Sequence, residues 1–303
     1  MPTPAAPGTS AILSERRQLV NLAYRLLGSL AEAEDVVQET YARWYAQPRE
    51  QQETIENPGA WLTTVAGRVC LNLLNSARVR RETYVGDWLP EPLPEPCRPH
   101  GSTTDPADRV TLDESVDMAL LVILESMTPA ERVAFVLHDV FRYSFAEIAQ
   151  IVGRTPAASR QLASSARRRI RAARPSTTPP AQRAIIVKDF RQAWEAKDIK
   201  ALLGLLDPNA TATADSGGLV TSFLHPIEGR EQIARAWIEL TRRKPDNMTF
   251  RERTVNGQPG LVAEQDGIAV TVFAFAFTDD RIKHIWVVRN PEKLRHWTTD
   301  QVT

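Results

Sequence analysis

Between Ser144 and Arg171 the chain reads SFAEIAQIVGRTPAASRQLASSARRRIR, and the rest of the sequence is best understood outward from it. Phe145, Ile148, Ala149 and Val152 form one apolar face at helical spacing. Gly153 is a stop signal, and Thr155 followed by Pro156 is an N-cap with proline at the first helical position. Ala149, four residues before Gly153, is small enough to let two helices cross closely. The spacing predicts a helix-turn-helix. In its second helix Ser159, Leu162, Ala163, Ala166 and Ile170 face inward, with Ser159 where a larger apolar residue is common. Arg160, Ser164, Arg167 and Arg171 fall on the opposite face, and Gln161 and Arg168 lie beside them. Short side chains at the start of a helix and cations further along suit a major groove flanked by phosphates. Charge alone would make this an ordinary solvated face. The preceding helix, the turn and the small polar tip favour DNA.

The charge of the whole chain hides this. Its 303 residues, roughly two domains' worth, carry 37 basic and 37 acidic side chains. Taken whole, that balance argues against a nucleic-acid binder. By segment the net charge is 0 over 1–84, −5 over 85–115, +4 over 116–174 and +1 over 175–303. Hydrophobic residues make up 43%, enough for packed cores and too many for a disordered chain. No apolar run approaches the ~18–20 residues of a membrane span. Met1 to Leu13 lacks the basic and apolar regions of a secretory signal. Cys70 and Cys97 make no disulfide framework, so a reducing cytoplasm is the expected compartment, with Cys70 a small core residue. The five histidines show no metal-ligand spacing, and neither a metal nor a cofactor is expected.

Two proline-rich stretches divide the chain. Asp87 to Asp108 contains Pro90, Pro92, Pro94, Pro96, Pro99 and Pro106, which excludes helix and central strand. Pro175 to Pro180 is the second. The blocks before and between them read as helical. Val37, Tyr41, Trp44 and Tyr45 repeat at the helical period, and Asn57-Pro58 is a strong helix start. The third block opens with helices over Ala181–Ala196 and Ile199–Leu206. It then changes period, with strands over Phe250–Val255, Leu261–Gln265, Ile268–Thr278 and Ile282–Val288. Turns are expected at Gly257–Gly260, Asp266-Gly267 and Asp279-Asp280, giving an α+β domain.

On the helix after Asn57, Leu62, Val65, Ala66, Val69 and Leu73 should be core. Trp61, Thr64, Arg68, Asn72 and Asn75 share another face, and Arg78, Arg80 and Arg81 follow. An aromatic, amides and an arginine on one stripe suit single-stranded bases and backbone, although Trp61 alone could be core. Asp35, Gln38, Glu39 and Ala42 lie opposite the Val37/Tyr41/Trp44 face, either as a docking stripe or, more simply, as a solvated one.

The run from Leu27 to Tyr41 (LGSLAEAEDVVQETY), then Pro58 to Arg68 (PGAWLTTVAGR), resembles domain 2 of the extracytoplasmic-function sigma factors. Thr128 to His138 (TPAERVAFVLH) and the helix-turn-helix after it resemble their domain 4. Residues 183–303 resemble a SnoaL-like domain of the NTF2 superfamily. Trp88 to Leu93 (WLPEPL), Val255 to Gly260 (VNGQPG) and Asn290 to Leu294 (NPEKL) are similar to signatures of the sigma branch that carries such a fused domain. Asp215 to Leu219 reads DSGGL where that branch tends to have DGGGK, so Ser216 and Leu219 depart from the pattern.

The resemblance implies a multidomain fold. It has a helical sigma domain 2 over 10–85, an acidic linker over 86–112 and a helix-turn-helix domain 4 over 113–174. A short linker over 175–182 and a SnoaL-like cone domain over 183–303 follow. It also implies a sigma factor that directs promoter-specific initiation, and not an enzyme. Asp35, Gln38 and Glu39 would meet the β′ clamp helices of core RNA polymerase, with the β flap as a further polymerase contact. Trp61, Thr64, Arg68, Asn72, Asn75 and Arg78 would lie at the −10 element. Thr155, Pro156, Arg160, Gln161, Ser164, Arg167 and Arg168 would lie at the −35 element. The acidic linker would run through the polymerase towards the RNA exit path. The fused domain would regulate in cis, with Trp88, Leu89, Pro90, Asp215, Asn290, Pro291, Glu292, Lys293 and Leu294 as contact points.

Two other readings stay open at this stage. SnoaL-like relatives include polyketide cyclases and isomerases, and Asp215, His225 and His284 are the polar groups that could do acid–base chemistry in a cone. Phe273, Phe275 and Phe277 would line either its pocket or a core, and a small-molecule ligand there would be an effector or a substrate. The second alternative is a stand-alone repressor or activator that uses only its helix-turn-helix.

Overall fold

The computed structural model describes residues 7–81, 84–94, 116–173, 176–243 and 245–298. They fall into two compact units. Among the described residues the first holds 7–80 and 123–173, and the second holds Arg81, 84–94, 116–122 and 176–298.

The first unit is helical. Helices α1 (Pro7–Leu27), α2 (Leu30–Tyr45), α3 (Arg49–Glu53) and α4 (Pro58–Arg81) come first. After α5 (Met118–Glu125), which straddles the two units, come α6 (Pro129–Phe135), a π-turn (Val136–Val140), α7 (Phe145–Val152) and α8 (Pro156–Ala172). The boundaries follow local chemistry. Ser29 Oγ accepts from Glu32 N–H and Asn57 Oδ1 from Ala60 N–H, each satisfying an orphan donor of a first turn. Thr128 with Glu131, and Ser144 with Glu147, form reciprocal capping boxes. Gly153 takes φ 65°, a left-handed value that glycine adopts without steric cost, and Thr155 caps α8 through Ala158 N–H. The expected helix-turn-helix is therefore present.

Two helix faces are rotated from expectation. On α4 the buried side chains include Leu62, Thr63, Ala66, Cys70 and Leu74, whereas Val65, Val69 and Leu73 are only half-buried. On α2 the buried set is Leu30, Ala33, Val36, Val37, Thr40 and Trp44, and Tyr45 is exposed. On α4 the stripe Leu62, Ala66, Cys70, Leu74 runs at i, i+4 spacing and on α2 it mixes three- and four-residue steps, and both pass through small or polar residues (Ala33, Thr40, Ala66, Cys70) that hydrophobicity alone passes over. Cys70 is a core residue, and burial pushes its thiol pKa up.

The second unit has helices α9 (Pro180–Glu195), α10 (Ile199–Leu205) and α11 (Arg230–Arg242). Its strands are β1 (Leu206–Asp215), β2 (Ile227–Glu228), β3 (Met248–Val255), β4 (Gln258–Gln265), β5 (Ile268–Thr278) and β6 (Arg281–Val288). A 3-10 turn (Pro291–Leu294) and α12 (Arg295–Thr298) end the described chain. The sheet order is β2-β1-β6-β5-β4-β3, with β1 parallel to β6 and the other neighbours antiparallel. Three tight hairpins turn on positive-φ pairs at Asn256-Gly257, Asp266-Gly267 and Asp279-Asp280. The first lies at the start of the expected Gly257–Gly260 stretch, so Gln258 to Gly260 belong to β4 instead.

Each face of this sheet has its own core. On one face Leu261, Ala263, Phe273, Phe275, Phe277, Ile285 and Val287 pack with Phe190, Trp194 and Trp237 of the helices. The three alternating phenylalanines are thus core residues, each under 5% exposed. On the other face Val262, Val272, Ala274, Trp286 and Val288 are covered by Leu89, Met118, Leu294 and Trp297, which come from other parts of the chain. Gly260 sits where β4 passes closest to its surroundings. A Cβ there would come within 2.6 Å of the Phe273 carbonyl oxygen and 2.5 Å of a Val255 methyl. Gly260→Ala is expected to destabilise the second unit by about 1–3 kcal/mol through overpacking, read as a lower urea midpoint.

Candidate functional site

The recognition helix presents a graded face. Arg160, Gln161, Arg168 and Arg171 are exposed, Ser164 and Arg167 are half-buried, and Ser159, Ala163 and Ala166 are buried. Thr155 and Pro156 stand exposed at its tip. Arg167 does not point freely outward, because its Nε donates to Asp139 Oδ1 at 2.7 Å. Arg160 lies over the Phe145 ring, with Cζ 5.3 Å from the centroid. Sequence spacing placed these arginines on the right helix but missed both partners, which lie outside it.

The α4 stripe is partly engaged as well. Trp61 is half-buried and packs edge-on against buried Trp44, ring centres 5.2 Å apart, so it is in part a core tryptophan. Asn72 and Asn75 are exposed, and Thr64 donates to the Ala60 carbonyl. Arg68 donates to the Gln150 carbonyl of α7 at 3.1 Å, so a candidate base-reading arginine is bonded to the helix-turn-helix itself. Beside it, a Cβ on Gly67 would meet Ile151 at 3.1 Å. Arg132 completes the junction. It is 2% exposed and donates to the Leu26 carbonyl at 2.7 Å and to Glu125 at 2.5 Å, and burial lowers its pKa to about 10. The side chains of Arg78, Arg80 and Arg81 lie outside the described residues. Asp35, Gln38 and Glu39 are all exposed on α2, with Glu39 paired to Arg43 one turn on.

In the second unit two of the expected regulatory residues, Leu89 and Lys293, bond the buried Asp215 carboxylate directly, and Trp88 and Asn290 lie against those partners. Asp215, at the end of β1, is fully buried. Its Oδ1 accepts from the Tyr84 hydroxyl at 2.6 Å and from Gly217 N–H at 3.0 Å. Its Oδ2 accepts from Leu89 N–H at 2.8 Å and from Lys293 Nζ at 2.6 Å. Lys293 also donates to the Leu89 carbonyl and lies 4.1 Å from the Trp88 ring centroid. Asn290 caps the 3-10 turn through Glu292 N–H and donates to Tyr84. Burial and the bond to Asp215 push the Tyr84 phenol above its ordinary range. Pro90 is buried beside Leu89, Leu294 fills the adjoining core, and Pro291 and Glu292 are exposed.

Tyr84, Asn256 and Trp297 were not anticipated in this cluster. Asn256 exchanges hydrogen bonds with the backbone of Leu93, and Trp297 Nε1 donates to the Pro92 carbonyl. Only the aromatic character of Tyr84 and Trp297 at the two ends of the matching segments signals their role. Ser216 is buried within the departing loop and Leu219 is exposed. The acidic residues beyond Pro94 in the linker lie outside the described residues.

The proposed acid–base trio does not form. Asp215 is occupied by the linker, and His284 lies beside Trp286 of the linker-covered face, bonded to Thr211, with burial lowering its pKa. His225 lies in the loop after β1 and bears electrostatically on Asp87. The helix-covered face is lined by aromatic and aliphatic side chains. Among the described residues no group of three or more metal-ligating side chains forms, and no helix is long and apolar enough to cross a membrane.

Comparison with known proteins agrees with these parts. The family models Sigma-70 region 2 and Sigma-70, region 4 match residues 11–80 and 117–170. The ECF RNA polymerase sigma factor SigJ of Mycobacterium tuberculosis is 37% identical over 289 residues, covering 92% of this chain and 90% of its own. The probable ECF RNA polymerase sigma factor SigI of the same species is 34% identical, covering 95% of each. A crystal structure of SigJ superposes with a TM-score of 0.73 over 94% of this chain and 97% of that one, at 34% identity.

Lys293→Met leaves the Asp215 carboxylate buried without its cation. The expected cost is about 3–5 kcal/mol in the second unit, measured by urea unfolding followed through tryptophan fluorescence.

Proposed function

We infer the working of this chain from one premise: it belongs to the extracytoplasmic-function sigma factors of the sigma-70 family, in the form that carries a SnoaL-like C-terminal domain. It is a promoter-specificity factor for transcription initiation and not an enzyme. Its partners are core RNA polymerase and promoter DNA, met in the cytoplasm. We assign Asp35, Gln38 and Glu39 to the β′ clamp helices, and the helix-turn-helix domain to the β flap and the −35 element. Trp61, Thr64, Arg68, Asn72, Asn75 and Arg78 are assigned to the −10 element. The exposed Gln161 and Arg168, with Thr155 and Pro156 at the tip and Arg160, Ser164 and Arg167 on the flank, are assigned to −35 duplex.

The C-terminal domain acts in cis on the linker. The observation that carries this reading is the Asp215–Lys293 pair closed around Leu89. A linker so held is unavailable to the polymerase channel. Drawing it out gives up those bonds and uncovers the Val262/Val272/Trp286 face. Tethering makes the local concentration high, so a modest interface suffices to compete. A ligand of this domain shifts the balance only by binding the two states unequally.

The test is run-off transcription with purified core polymerase. Full-length chain directs initiation at one start site, and binding of the same promoter duplex is much weaker without core. Equal binding with and without core would sink the reading in favour of a stand-alone regulator. Deleting residues 290–303 is expected to change the amount of transcript at an unchanged start site. A changed set of promoters would contradict regulation through the linker.

A further inference from the structure

The pairing of Arg167 with Asp139 has a feature that stability does not explain. Asp139 Oδ1 accepts from Arg167 Nε at 2.7 Å, while its Oδ2 is buried with no hydrogen-bond partner among the described residues. A pair kept only for stability would satisfy both oxygens, because a buried unpaired carboxylate oxygen carries a desolvation cost. Asp139 sits in the π-turn Val136–Val140, where Phe141 N–H reaches back to the Val136 carbonyl. Such wide turns redirect side chains and recur at functional sites. Here the turn places its carboxylate against the flank of α8, 28 positions later in the chain.

The bond uses Nε alone of the guanidinium's donors. Because that group is planar, fixing Nε fixes the plane, and the two terminal nitrogens are left for a second acceptor. The Arg167 side chain keeps 30% of its surface exposed. The same region orients a second arginine. His138 Nδ1 is 2.8 Å from the Tyr143 carbonyl, its ring stacks on Phe145 at 4.0 Å, and Phe145 carries Arg160.

We propose that Asp139 is a positioning residue for DNA binding. It holds the Arg167 guanidinium so that its terminal nitrogens meet a backbone phosphate of the duplex that α8 reads. This rests on the assignment of α8 to DNA. The opposite role for the same geometry is a mask, in which Asp139 competes with phosphate for Arg167.

The two are separated by the salt dependence of full-length chain binding to a short duplex of random sequence, since phosphate contacts do not depend on sequence. Arg167→Ala and Asp139→Ala are each expected to weaken binding several-fold. Each should also reduce the slope of log K against log salt by about 0.9, the share of one phosphate. The double variant should match either single one, and Asp139→Asn, which keeps the Oδ1 acceptor, should retain the wild-type slope. A rise in affinity with Asp139→Asn or Asp139→Ala identifies a mask and overturns the proposal. So does an Asp139→Ala loss that adds to that of Arg167→Ala. If Arg168→Ala also leaves the slope unchanged, the assignment of α8 to DNA fails. If Arg168→Ala lowers the slope and Arg167→Ala does not, only the positioning role fails.

Discussion

The carboxylate of Asp215 has no exposed surface, and a charge there is tolerable only while donors surround it. It has four, and two of them, the Tyr84 hydroxyl and the Leu89 amide, come from the segment that runs from the end of the first helical block into the linker. The other two are the Gly217 amide and the Lys293 ammonium. The segment from Tyr84 to Pro94 is therefore built into the C-terminal sheet domain although it lies far away in sequence. Leu89 completes the core on one sheet face, and Pro94 bridges to Val255 at its edge. Removing any one donor leaves the carboxylate under-satisfied, so the linker is bound as a unit rather than residue by residue.

Much of the architecture was legible in the sequence because its signals are local. Strand β5 runs over the very residues whose alternation announced it, and caps at Asn57 and Thr155 mark helix starts one residue away. What was missed depends on distant partners. Strand β1 reads LDPNATATAD, poor in strand-forming side chains, and its extended form comes from parallel pairing with β6 some 70 residues later. The short β2 beside it went unassigned for want of that strand, whereas α11 carries a local helical signal in Ile233, Ala234 and Trp237 that was passed over. Over the described part of the linker Pro90, Pro92 and Pro94 correctly excluded helix and central strand. They said nothing of the sheet face on which Leu89 is buried.

The candidate sites divide in the same way. The segments the family signatures named meet in the structure at Asp215, Asn290 and Lys293. Which of their atoms meet, and that Tyr84 and Trp297 join them, follows from burial and is invisible in one dimension. On the two helices assigned to DNA the spacing treated every arginine alike. Arg68, Arg160 and Arg167 each have a partner from another element, and only geometry distinguishes them from Arg168. The neutral total charge is likewise a sum over segments that do different work.

The placement of the linker also orders events during synthesis. Tyr84 to Pro94 leaves the ribosome long before β6 and the NPEKL turn, and the acceptor at Asp215 and the donor at Lys293 do not yet exist. At translation speeds of about 5–20 residues per second the interval up to Lys293 is roughly ten to forty seconds. Once α8 has been made both helical blocks are complete, and until Lys293 follows the linker between them is unclaimed. A nascent chain thus has its linker uncovered first, and the bonds around Asp215 close only once the turn that carries Lys293 is made, so the covering of the linker carries a built-in delay set by gene order within a single reading frame.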